Sequence, residues 1–138
     1  MSPFKECSTD RANLRRLMRA LRKKGAFARM GLMYHQSNAN FEARWRTKPG
    51  TALVYCTKQE IERVFHPDDG MCWNTLYLNF DIHMPDGMKQ LSAEYDQAVR
   101  GVAHLILTTA EELGIPNIEW DGEIGECVSM TPRPERLK

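Results

Sequence analysis

The residues with the clearest chemistry in this 138-residue chain are cations gathered on one short segment. Arg11, Arg15, Arg16, Arg19, Arg22 and Lys23, taken at 100° per residue, fall on a helical arc opposite or beside a Leu/Met stripe. A ridge of this kind suits phosphate oxygens, because each contact exchanges condensed counterions for a protein cation. Arg29, Arg44, Arg46 and Lys48 extend the basic run, and Phe41 and Trp45 offer rings on which bases could stack. The same cations could instead dock an acidic protein or simply face water.

The ridge belongs to a wider segregation of charge. Residues 1–58 carry 13 Lys and Arg against 3 Asp and Glu, whereas residues 59–138 carry 6 against 15. Halves of +10 and −9 therefore nearly cancel to the net +1, so attraction to an anionic partner must be local rather than global. In the acidic half, Asp68, Asp69, Asp81, Asp86, Asp96, Glu111, Glu112, Glu119, Asp121, Glu123 and Glu126 could imitate a row of phosphates. At a near-neutral total charge a solvated acidic surface accounts for them better.

The catalytic inventory is thin. His35 and Ser37 lack the Gly-x-Ser-x-Gly turn that presents a hydrolase nucleophile. His66, Cys72 and His83 flank strand ends and could meet at a metal, but their spacing matches no ligand motif. Cys7, Cys56, Cys72 and Cys127 form no Cys-x-x-Cys pair and read as ordinary thiols. Walker A, Rossmann and EF-hand patterns are missing, and no motif implies a cofactor.

These residues need a scaffold, and the pattern predicts one. Leu14, Leu17, Met18 and Leu21 mark a helix from about Asp10 to Lys24, with Ser8, Thr9 and Asp10 as caps and Gly25 as its stop. A strand is expected over Ala26–Tyr34, then a short helix through Phe41 and Trp45. A buried strand follows at Thr51–Cys56, and Thr57 with Glu60 opens another short helix at capping-box spacing. Leu76, Leu78, Phe80 and Ile82 alternate with Thr75, Tyr77, Asn79 and Asp81 as a half-buried strand should. Leu91, Tyr95, Val99, Val102, Ile106, Thr109 and Leu113 then line a long helix of roughly 34 Å. Ile118–Trp120 and Cys127–Met130 read as two strands around an Asp121-Gly122 turn, and the tail from about Thr131 is expected to fray.

This order predicts one α+β domain over residues 1–138. It has a mostly antiparallel sheet of about five strands, with the basic N-terminal helix and the long helix packed on one face. No stretch approaches a membrane span and the N-terminus has no apolar h-region, so a cytoplasmic protein with no membrane partner is expected.

The run Leu21-Arg22-Lys23-Lys24-Gly25-Ala26-Phe27-Ala28-Arg29-Met30, with Val54-Tyr55-Cys56, Leu76-Tyr77-Leu78-Asn79-Phe80 and Ile118-Glu119-Trp120-Asp121-Gly122, resembles the DUF6891-like family of small bacterial and phage-borne domains. The likeness covers about Leu14 to Met130. Where that family carries Cys-Cys-x-x-Cys, this chain reads Tyr34-His35-Gln36-Ser37-Asn38, so a thiol role does not transfer. The family has no established activity. Its occurrence on phage genomes implies an inhibitor of bacterial defence, such as an anti-CRISPR, as one form of the function. Together these readings predict a non-enzymatic protein whose basic helix contacts nucleic acid or a nucleic-acid-bound host complex. The alternative is a small enzyme or ligand-binding domain with a pocket near Tyr34, His35, Tyr55 and Trp120.

Overall fold

Thr9 opens the first helix: its Oγ1 accepts the Ala12 amide at 3.0 Å, an N-cap worth about 1 kcal/mol. The computed structural model describes residues 9–32, 46–65, 72–84, 92–123 and 127–132. Helix α1 (Asp10–Lys23) buries Leu14, Leu17, Met18 and Leu21, the stripe its periodicity predicts. It ends at Lys24 and Gly25, where a φ of +97° suits glycine.

Strand β1 (Phe27–Met30) is shorter than expected, because Gly31 turns away at a φ of +68°. Residues 33–45, including the short helix expected near Phe41 and Trp45, lie outside the described residues. Strand β2 (Ala52–Cys56) leads through the Thr57 cap into helix α2 (Lys58–Val64). Strand β3 (Leu76–Ile82) and helix α3 (Ala93–Glu112), capped by Ser92, follow the predicted pattern. Two short strands, β4 (Ile118–Glu119) and β5 (Val128–Met130), complete the sheet.

The five strands stand in the order β1-β2-β3-β5-β4. All pairs are antiparallel except β1 with β2, which run parallel with Phe27 opposite Leu53 and Met30 opposite Cys56. A parallel pair needs a crossover of a dozen or more residues, and the connection over 31–51 is long enough to be one. The last two strands pair Ile118 with Met130 and Glu119 with Ser129. Asp121 and Gly122 therefore sit within a longer connection, not at the tip of a two-residue hairpin. Thr131, expected to begin a frayed tail, donates its amide to the Asn117 carbonyl at 3.0 Å.

Alternation divides the sheet into two faces. Val54, Cys56, Leu76, Leu78, Val128 and Met130 pack with Leu17, Met18, Val102 and Ile106 into the main core beneath α1 and α3. Phe27, Leu32, Leu53 and Tyr55 form a second, smaller cluster, and strand alternation puts it on the opposite face. Among the described residues no helix is long and apolar enough to cross a membrane.

Candidate anion-binding site

The short turn at residues 24–26 sends β1 back along α1, so the start of the helix lies beside the carboxyl end of the strand. That geometry sorts the arginines. Arg22 Nη1 donates to the Ala28 carbonyl at 2.8 Å and Arg29 Nη1 to the same oxygen at 3.0 Å. They cover an acceptor on β1, an outer strand of the sheet, where bare backbone invites pairing with another chain. Arg29 also stacks on Phe27, 4.7 Å from the ring centroid. On the other flank Arg16 bridges Asn13 Oδ1 at 2.8 Å and the Leu113 carbonyl at 3.0 Å, closing the carboxyl end of α3. Lys24 pairs with Glu112 at 2.7 Å and Thr109 at 3.0 Å.

Arg15, Arg19 and Lys23 are different: they are exposed and make no hydrogen bond or ion pair among the described residues. Arg46 and Lys48 are exposed in the turn before β2, at the opposite end of that strand from α2. Arg44 lies outside the described residues. The predicted single ridge is thus three things: a guard on the β1 edge, a clamp on α3, and a row of uncommitted cations along α1.

At the amino end of that row, Arg11, Arg15, Met30, Gly31, Lys58, Ile61 and Glu62 line a cleft of about 420 Å³. Its size falls in the range of small-ligand sites. Arg11 and Arg15 are one turn apart on α1; Lys58, Ile61 and Glu62 share one face of α2. The cleft opens at the carboxyl ends of the parallel pair, the place where open sheets usually take ligands. Arg11 is held with its guanidinium 5.0 Å above the Phe65 ring, yet its Nε is buried without a hydrogen-bond partner. An unpaired buried donor costs about 1–3 kcal/mol. At Gly31 an added Cβ would meet Lys58 Cγ at 3.6 Å, so the glycine's missing side chain leaves this wall low. Behind the wall, burial pushes the Cys56 thiol up to about 12, the Gly31 amide opposing and the Glu60 carboxylate adding to the rise. Cys56 is therefore a protonated core residue rather than a nucleophile.

Among the described residues the other candidates do not assemble, and His66 lies outside them. Tyr55 is buried with Phe27 and Leu53 on one face. Trp120 packs edge-on against Phe80 and His104, both at 5.8 Å, alongside the main core. The pocket expected to join Tyr55 and Trp120 is thus divided by the sheet, and Tyr34 and His35 lie outside the described residues. His83 Nδ1 meets Thr47 Oγ1 at 2.9 Å, and among the described residues no three His, Cys, Asp or Glu side chains could hold a metal. Cys56, Cys72 and Cys127 are thiols. On the open sheet face, cavities of about 290 and 230 Å³ flank Tyr77 and Cys127. Their carboxylates Glu60, Glu119 and Asp121 make them poor sites for an anion.

No protein-family model, curated protein or solved structure matches the chain. The functional reading therefore rests on the chemistry of the cleft and the row. Sequence reasoning found Arg11 and Arg15 but missed Lys58, Ile61, Glu62 and Phe65. The one signal for Lys58 was its place directly after a cap at a strand's end, where a parallel neighbour would make it face a ligand.

Proposed function

We propose that this protein is a non-enzymatic binder of nucleic acid, or of a host complex carrying it, and that the basic side of α1 makes the contact. What supports this most is the row of Arg15, Arg19 and Lys23, exposed and uncommitted among the described residues. From Arg15 to Lys23 the row extends about 12 Å, roughly three to four nucleotide steps on one strand. A phage-encoded inhibitor of bacterial defence would use the same face to occupy a nucleic-acid-bound complex.

Fluorescence anisotropy with a labelled single-stranded oligonucleotide tests the proposal. With about three phosphates neutralised, affinity should fall roughly 20-fold between 50 and 200 mM salt. The triple variant Arg15→Glu, Arg19→Glu, Lys23→Glu should lose binding by more than about 100-fold while keeping its far-ultraviolet circular dichroism, since all three side chains are exposed. Affinity indifferent to salt, or unchanged in the triple variant, would sink the idea.

A further inference from the structure

We propose that the cleft between α1 and α2 is a phosphate-monoester site, which takes a nucleoside monophosphate or the phosphorylated end of a strand. This rests in part on reading α1 as a phosphate-facing helix, but it assigns a separate place and a different ligand.

Charge gives the first argument. Among the described residues that line the cleft, Arg11, Arg15 and Lys58 outnumber Glu62 by two charges. A phosphodiester carries one negative charge, whereas a monoester at neutral pH carries about −1.5 to −2. The cleft is matched to the monoester, and the open row on α1 to diesters.

Shape gives the second. The cleft has walls on α1, on α2 and at the end of β1. A phosphate that enters it meets cations from both helices at once. Hydrogen bonding gives the third. A guanidinium such as that of Arg11 can bind two oxygens of one phosphate. Stacking on Phe65 holds that guanidinium in place before the ligand arrives.

The remaining residues fit the rest of such a ligand. Met30 and Ile61 supply apolar wall for a base or sugar ring.

The test compares oligonucleotides of one sequence with a 5′-phosphate or a 5′-hydroxyl. Calorimetry with a nucleoside monophosphate, the parent nucleoside and inorganic phosphate runs beside it. An at least tenfold preference for the phosphorylated end would place the site on strand ends. Binding of the monophosphate but not the nucleoside, with no end preference, would assign it to free nucleotides. Either supports the monoester site, provided Lys58→Gln, a change at an exposed residue, abolishes the effect while 5′-hydroxyl binding stays within about threefold. Arg19→Glu, outside the cleft, should weaken both oligonucleotides equally. Equal binding of the two ends with no heat from monophosphate or phosphate would overturn the cleft proposal and leave the α1 reading standing. Loss of all oligonucleotide binding, with monophosphate still bound through Lys58, would do the reverse.

Discussion

Replacing Asp10 with alanine is expected to lower the unfolding free energy by about 3–5 kcal/mol, an effect larger than removal of any surface charge. Asp10 is fully buried. Its Oδ2 accepts the Cys72 amide at 2.7 Å and its Oδ1 the Asn117 side-chain amide at 3.1 Å. Asn117 in turn donates to the Thr131 carbonyl at 2.7 Å. Truncation strands two buried donors, and alanine can replace neither bond. Asp10→Asn keeps the volume but turns one acceptor into a donor, so a loss of about 2 kcal/mol is expected there. Urea denaturation measures both changes, with the midpoint moving and the slope unchanged. A loss below about 1 kcal/mol for Asp10→Ala would mean that these bonds contribute nothing.

The same carboxylate connects stability to the site. Cys72 forms a bridge with Phe65, and the Trp73 amide donates to the Val64 carbonyl at 2.9 Å. Through Cys72, Asp10 fixes the start of α1 against the end of α2. Arg11, the next residue, stacks on Phe65 from that position. The shape of the cleft therefore depends on a buried carboxylate that never lines it.

Elements with local causes were legible in the sequence. The α1 stripe, the Thr57 cap, the β3 alternation and the α3 arc all depend on residues a few positions apart, where periodicity and capping act. What the sequence hid was long-range. Asp10 looked like one of three capping candidates. Thr9 takes that part, and Asp10 turns inward to partners 62 and 107 residues away. Arg16 looked like one more member of the ridge, but its acceptor on Leu113 lies 97 residues along the chain. The cleft was hidden for a related reason. It forms because β1 and β2 are parallel, which brings both carboxyl ends, and with them Arg11, Arg15 and Lys58, to one side. Periodicity within a strand carries no information about the direction of its neighbour.

Raising the pH should destabilise the fold through Cys56, by about 3 kcal/mol at pH 11. Burial pushes this thiol from 9.0 to about 12. Below about pH 9 both folded and unfolded chains hold the proton, and the thiol's contribution is complete. Above that, the unfolded chain releases a proton that the fold retains, so stability falls by about 1.4 kcal/mol per pH unit until the folded thiol itself titrates near 12. Lysines and tyrosines also titrate in this range, so the useful quantity is a difference between two proteins. Cys56→Ala should begin about 1–2 kcal/mol less stable, from the lost volume in the core, and should then lack the thiol's share of the slope. Urea denaturation under reducing conditions from pH 8 to 11 should bring the two curves together and then cross them. Parallel curves would show that the Cys56 environment accepts a thiolate. Gly31, whose amide opposes the rise in the thiol, also lines the cleft, so an ionised Cys56 would place a negative charge behind the cleft proposed to hold an anion. Keeping this thiol protonated preserves both the core and the positive balance of the cleft.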